Sequence, residues 1–144
     1  MNKARRCVAC VVFQGNIVVS GGPDNDEFKL NTVRSYDVFA DKWTSMLYMI
    51  HQHFLHSLVT VKNKLFVMDE GRNNCEVFDN IGKKFVALCS YNFSSFNKAM
   101  SIGKKIMILQ YKISLVLFYD VEKISGLKSY VLLQKILSVF HVLR

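Results

Sequence analysis

The chain has 144 residues, of which 51% are hydrophobic, so its length suits one domain with its own core and its composition excludes a disordered chain. Abundant aromatic residues (12%) and a single proline favour β-structure over a helical bundle. The net charge of +8 gives a basic surface that attracts acidic partners without identifying one. Apolar runs shorter than the roughly 18 residues of a membrane-spanning helix predict a cytoplasmic protein that does not bind membranes.

The first recognisable element is a β-hairpin. Residues 7–13 form an apolar run, and a turn at Gly15 precedes the β-branched run of residues 17–19. The doublet Gly21-Gly22 ends this second strand, where the backbone must adopt a positive φ or pass close to a neighbour. The polar residues 23–29 then predict an exposed loop.

Two further strands follow this loop. Residues 33–38 alternate large and polar side chains, and Asp37 is placed to end the strand. Trp43 follows Asp37 by six residues. The order of a double glycine, Tyr36 and then Trp43 resembles the kelch repeat, which is one four-stranded blade of a β-propeller.

The same pattern recurs in a second copy. Strands are predicted at 56–61, 65–68 and 75–79, with Lys62-Asn63 as the turn. Phe78 follows Tyr36 by 42 residues, and Phe85 follows Trp43 by the same distance. Two aromatic markers therefore keep one register, and Phe85 and Trp43 are expected to pack between adjacent blades.

A third copy is predicted at 99–102, 106–109 and 115–120, where Tyr119 follows Phe78 by 41 residues and no aromatic residue lies six positions after Asp120. Asp37, Asp79 and Asp120 each end the third strand of a copy, so we expect their carboxylates to cap turn amides. Beyond a possible fourth strand at 130–133, the tail is either an amphipathic helix or the first strand of a lost blade.

These copies predict an all-β chain of about three kelch-type blades in an incomplete propeller ring. The predicted boundaries are residues 1–133 for the repeat region and 134–144 for the tail, with blades at about 6–49, 54–90 and 96–133. Three blades leave two apolar faces uncovered. We therefore expect a fragment of a longer product, a chain that pairs with another, or a chain that folds poorly.

The segment 36–43, followed by Met46 and Met49, is similar to blade ends in the kelch-like adaptor family. That resemblance implies substrate recognition for a cullin-type ubiquitin ligase, although the family's recruitment domain is absent from this chain. It also implies that protein substrates dock on loops between blade strands, where Arg72 is the best candidate to grip an acidic motif. The loop residues expected to bind a partner are Asp24, Asp26, Glu27, Arg72 and Lys112.

Two other functions stay open. One is binding of actin or the cytoskeleton without ligase work, because some family members bind actin filaments. The other is a basic nucleic-acid-binding β-domain, suggested by aromatic residues interleaved with lysines at 83–85 and 91–98, although Phe85 already serves as a repeat marker. No nucleophile motif or carboxylate pair is recognisable, so the sequence predicts no enzyme and no cofactor.

The most suggestive chemical cluster is His51, His53 and His56. Because no cysteine or acidic residue lies within nine residues of it, the sequence predicts no metal site. Cys7 and Cys10 have the CxxC spacing of redox and zinc sites, but positions three apart on a strand point to opposite faces. All four cysteines, Cys7, Cys10, Cys75 and Cys89, are therefore expected to be reduced and packed.

Overall fold

The computed structural model describes residues 4–69, 74–88, 97–110 and 115–121, and the regular secondary structure of that part of the chain is nearly all β. Its strands form three antiparallel sheets, here named blade 1, blade 2 and blade 3, in which strands adjacent in sequence are adjacent in the sheet. Blade 1 consists of β1 (Ala9–Phe13), β2 (Asn16–Ser20), β3 (Val33–Asp37) and β4 (Lys42–Ser45). Blade 2 consists of β5 (Ser57–Val61), β6 (Lys64–Met68), β7 (Glu76–Asp79) and β8 (Lys84–Ala87). The described strands of blade 3 are β9 (Asn97–Ile102), β10 (Lys105–Gln110) and β11 (Leu115–Asp120). The predicted all-β fold of partial kelch-type blades, with a ring that is not closed, is confirmed.

Short turns close one end of blade 1. The β1–β2 hairpin turns through Gln14 and Gly15, which have φ angles of 51° and 80°, as a two-residue hairpin loop requires. At the same end, the carboxylate of Asp37 accepts hydrogen bonds from the amides of Phe39 and Ala40 at 2.9 and 3.0 Å. These bonds give the amides of the β3–β4 turn acceptors within the turn itself.

Longer connections lie at the opposite end of blade 1, because alternate connections of an antiparallel meander share an end. They are the β2–β3 loop, residues 21–32, and the connection to blade 2, residues 46–56. We call these two segments together the long-loop rim. Several backbone hydrogen bonds join them, including Met49 N to Asn31 O at 2.8 Å.

Blade 2 repeats the turn chemistry of blade 1. Its first hairpin turns through Lys62 and Asn63, with φ angles of 50° and 57°. The carboxylate of Asp79 accepts hydrogen bonds from the amides of Ile81 and Gly82 at 3.0 and 3.1 Å. The two blades therefore share one local design in different residues.

Blade 3 has three strands among the described residues, in the order β11-β10-β9. The expected fourth strand at 130–133 and the tail 134–144 lie outside the described residues. Within the described ranges, no helix has the length and apolar character needed to cross a bilayer.

Two apolar cores hold the blades together, and blade 2 contributes to both. Along β5 and β6, Leu58, Leu65 and Val67 face blade 1, whereas Val59 and Phe66 face blade 3. A sheet buried on both faces needs nearly continuous apolar strands, which explains why these runs lack the usual alternation. The core with blade 1 adds Ala9, Phe13, Val18, Val33, Met49, Phe78 and Phe85, and the core with blade 3 adds Val61, Met68, Cys75, Ile106, Ile108, Leu117 and Val121.

The prediction that the cysteines are packed is wrong for two of them. Cys75 is buried, but Cys7 and Cys10 are exposed. Cys7 precedes β1 with a φ angle of 50°, and Cys10 lies on the face of blade 1 that points away from blade 2. Cys89 lies outside the described residues.

Candidate functional site

The glycine doublet joins the two segments of the long-loop rim. Gly21 and Gly22 have φ angles of 59° and 77°, and the Gly22 amide donates a hydrogen bond to the carbonyl of His53 at 2.8 Å. A Cβ atom on Gly21 would collide with that carbonyl and lie 2.7 Å from Cε1 of His56. The doublet therefore permits close backbone approach at the junction of blades 1 and 2.

The acidic loop of the rim is built around Asp24. This residue is only 8% exposed, and its Oδ1 accepts hydrogen bonds from the amides of Asp26 and Phe28 at 3.1 and 3.0 Å. The base of the loop is closed by a bridge between Pro23 and Lys29. Asp24 thus holds the loop in shape and presents its tip to solvent.

The tip of this loop carries the other acidic residues predicted to bind a partner. Asp26 and Glu27 are exposed, and Glu27 accepts a hydrogen bond from Arg6 at 2.7 Å. Arg72 and Lys112 lie outside the described residues. Large apolar side chains are also exposed on the rim, namely Phe28, Leu47, Tyr48, Ile50 and Leu55.

Under the rim, the structure surrounds the histidines with acids from blade 2. Nδ1 of His51 and Nε2 of His53 lie 3.0 and 3.1 Å from Oε1 of Glu76. Nδ1 of His53 lies 3.4 Å from Oδ2 of Asp69. His53, Glu76 and Asp69 are almost completely buried, with side-chain exposures of 0%, 0% and 4%. The third histidine, His56, bonds elsewhere, with Nε2 2.7 Å from Oγ of Ser20.

Sequence proximity could not reveal the two acids, because Glu76 and Asp69 follow the histidines by 13 to 25 residues. The repeat register could have indicated that His53 lies at a junction between chain segments. It aligns Ala9 with Ser57 at the first strands, which places His53 at the position of Arg5. Arg5 already donates hydrogen bonds to the carbonyls of Gly21 and Thr32 across the rim at 3.3 and 3.4 Å.

Opposite charges control protonation in this cluster. Burial by itself lowers the pKa of His53, but the nearby carboxylates of Asp69 and Glu76 outweigh it and raise that pKa. Burial raises the pKa of Glu76, yet hydrogen bonds from His53 and from backbone amides of the connection bring it below its usual value. Burial, followed by the charge of His53, lowers the pKa of His56 to about 4. His56 is therefore a neutral imidazole at pH 7.

The face of blade 1 that points away from blade 2 is open in the described part of the chain. Phe85 of blade 2 is 5% exposed and packs at the interface with blade 1. Trp43 occupies the equivalent position one repeat earlier but is half-exposed, and its described aromatic contact is Tyr36 of its own blade at 5.0 Å. Trp43 was predicted to pack between two blades, but among the described residues no blade covers this face. Other side chains of the same face are Cys10, Val12, Ile17 and Val19.

The remaining repeat markers lie where the register places them. Tyr36 pairs across strands with Trp43, and Phe78 pairs with Phe85. Tyr119 and Asp120 lie in β11, opposite Ile106 and Lys105. The repeat spacing of the aromatic residues thus reflects strand pairing within each blade.

Comparisons with known proteins agree with this architecture. Residues 4–46 match the family model described as Kelch motif, a segment that contains all four strands of blade 1. The chain is also 33% identical over 79 residues to the F-box/kelch-repeat protein SKIP30 from Arabidopsis thaliana. That match covers 54% of this chain and 22% of the relative, so the chain matches about a fifth of the length of this curated relative. Together the matches support a kelch-repeat protein, a class that typically binds other proteins.

Proposed function

We propose that the chain is a protein-binding kelch-repeat module and forms part of the substrate-recognition propeller of a cullin-type ubiquitin ligase adaptor. The observation that carries the proposal is the long-loop rim. Its acidic tip, with Asp26 and Glu27, is held rigidly by the buried Asp24, and exposed apolar residues such as Phe28 and Tyr48 share the same rim. Exposed apolar side chains beside fixed polar ones are typical of protein-binding surfaces.

The ligase role rests on the comparison. The Arabidopsis relative is named an F-box/kelch-repeat protein, so kelch repeats similar to these accompany an F-box in that protein. This favours recognition within a ligase over cytoskeletal binding. Actin binding and nucleic-acid binding are alternatives that the experiment below separates.

The open face of blade 1 supports the proposal that the three blades, at about 6–49, 54–90 and 96–133, belong to a larger ring. Blade 2 buries the aromatic pair Phe78 and Phe85 against blade 1, whereas the equivalent Tyr36 and Trp43 are half-exposed. We propose that another kelch blade, in a longer chain or in a second chain, covers this face. Size-exclusion chromatography with light scattering would show whether the 144-residue chain associates with itself.

Two exposed phenylalanines give a matched test of the rim. Phe28 is 69% exposed on the long-loop rim, and Phe39 is 98% exposed in the β3–β4 turn at the opposite end of the same blade. The wild-type chain, Phe28→Ser and Phe39→Ser would each be immobilised and crosslinked in a cell extract, and bound proteins identified by mass spectrometry. Circular dichroism would first confirm that all three are folded.

We expect Phe28→Ser to lose proteins that Phe39→Ser retains, with ubiquitinated proteins among them. Equal capture by both variants would contradict binding at the rim. Cosedimentation with purified actin filaments that Phe28→Ser abolishes would replace the ligase role by the cytoskeletal one. Capture limited to nucleic acid, lost at high salt, would overturn the protein-binding proposal.

A further inference from the structure

His51, His53 and Glu76 bring three metal-binding atoms together at the junction of blades 1 and 2. Each of the three residues offers one ligand atom, and these atoms all lie within 4.8 Å of one another. The two distances to Oε1 are 3.0 and 3.1 Å. His53 and Glu76 are fully buried, but the side chain of His51 is 40% exposed and leaves the cluster accessible from solvent.

The surroundings of His53 call for a cation. Its Nε2 faces Glu76, and its Nδ1 faces Asp69 at 3.4 Å. A neutral imidazole has one N–H group, so it can donate to only one of these carboxylates while its other nitrogen directs a lone pair at an oxygen. Nδ1 of His53 and Oδ2 of Asp69 are buried without a hydrogen-bond partner. Burying two carboxylates around one neutral imidazole is costly, and an added proton or a metal ion would offset that cost.

Blade 1 has permanent charges at the equivalent positions. Arg5 occupies the position of His53, and Arg34 occupies that of Glu76 at the start of the third strand. Blade 1 therefore carries two guanidinium groups where blade 2 has one imidazole and one carboxylate. Imidazole nitrogens and a carboxylate oxygen are ligands, whereas a guanidinium is not. The His51, His53 and Glu76 cluster can therefore bind an external cation, whereas the equivalent arginines of blade 1 cannot.

We propose that Nδ1 of His51, Nε2 of His53 and Oε1 of Glu76 bind one Zn²⁺ ion, with a fourth position open on the exposed side of His51. Zinc–ligand bonds of about 2.0–2.1 Å in a tetrahedron separate ligand atoms by roughly 3.3 Å. The observed separations of 3.0 and 3.1 Å thus need only a small expansion. Two imidazoles favour zinc over calcium or magnesium, which prefer oxygen ligands.

Neighbouring groups would hold these ligands in place. The amides of Ile50 and His51 donate to the two oxygens of Glu76, each at 2.8 Å, and fix the carboxylate. Asp69 lies where it can accept the Nδ1–H of His53, which leaves Nε2 with the lone pair that zinc needs. The metal would tie the connection between the blades, residues 46–56, to β7.

The test uses the full chain, freed of metal with a chelator and then titrated with zinc by calorimetry and with Co²⁺ by visible absorption. We expect one bound zinc per chain, a raised melting temperature, and the intense absorption of tetrahedral cobalt. His51→Asn removes the partly exposed ligand and should weaken zinc binding at least tenfold. The exposed Cys7 and Cys10 are the competing ligands, so the double variant Cys7→Ser/Cys10→Ser is the matched control and should bind like the wild type.

Three results would overturn the proposal. The wild type could bind no zinc, in which case the cation at His53 is a proton. Zinc binding could disappear in the cysteine variant, or it could persist unchanged in His51→Asn. Circular dichroism of the metal-free variants keeps these results separate from unfolding. Failure of zinc binding would not bear on the proposed function, because protein capture by the rim is tested separately with Phe28→Ser.

Discussion

Replacing equivalent aromatic residues in successive blades tests which blade faces are covered. Phe85 is 5% exposed and stacks on Phe78 with ring centroids 5.2 Å apart, and Phe78 in turn meets the edge of Phe13 in blade 1 at 6.3 Å. Phe85→Ala would leave a cavity at the blade interface. Such substitutions cost about 3–5 kcal/mol of unfolding free energy.

Trp43→Ala removes the larger side chain but should cost less. Trp43 is half-exposed, and its described aromatic contact is one cross-strand pair with Tyr36, worth about 0.5–1.5 kcal/mol beyond area burial. We expect a total loss of roughly 1–2 kcal/mol, since only part of the ring leaves water and no cavity forms.

Urea unfolding of the two variants and the wild type, followed by circular dichroism, would measure both losses. The midpoint for Phe85→Ala should fall at least twice as far as that for Trp43→Ala. Equal losses would refute the inference that the outer face of blade 1 is open, and would mean that the face is covered in solution. Repeating the measurement over a range of protein concentrations would show whether the cover is a second chain.

Three further predictions follow from the junction and its surroundings. Gly21→Ala should destabilise the chain by about 2–4 kcal/mol, because the new Cβ meets the long-loop rim. Gly15 also has a positive φ, but its Cβ would meet no atom within 4 Å, so Gly15→Ala should cost only about 1 kcal/mol; equal urea midpoints would refute the steric argument. Thiol labelling of the folded chain, mapped by mass spectrometry, should modify Cys10 but spare Cys75, which is buried and whose pKa is raised to about 11; rapid labelling of both would mean the blade 2–3 core opens. In the presence of a chelator, the unfolding free energy should fall by on the order of 3 kcal/mol as the pH is lowered from 6.5 to 4. The reason is that the pKa of His56 is lowered to about 4 in the folded chain, so in this range His56 binds a proton only when the chain is unfolded. A His56→Asn variant with the same pH profile would contradict this.

Local sequence signals were sufficient to predict the blades. Turn residues such as Lys62-Asn63 separate short apolar runs, and antiparallel meanders need little more information. The aromatic spacing also predicted that Tyr36 and Trp43 occupy the same register as Phe78 and Phe85. Whether a face is covered depends on the neighbouring blade, so the repeat pattern alone predicted equal burial for Trp43 and Phe85.

The candidate site was less predictable because its parts come from three distant segments. Asp24 looks like any loop acid in sequence, yet it is buried by the hydrogen bonds that it accepts from its own loop. The histidines lacked acidic neighbours along the chain but acquired Glu76 and Asp69 through the pairing of blades. Contacts of this kind depend on the packing of one repeat against the next, which no local pattern encodes.

Blades 1 and 2 share their turns and aromatic register but differ in the chemistry that ties each one to the connection before it. In blade 1, Arg5 spans the junction with a permanent charge and bonds to backbone carbonyls. In blade 2, His53 takes that position between two carboxylates, where we propose that a metal ion can bind. Since the connection 46–56 also forms half of the long-loop rim, a zinc ion bound at the proposed site would constrain part of the surface proposed to bind partners. If that constraint changes partner binding, partner binding must change zinc affinity by the same factor, because linkage between two sites is reciprocal.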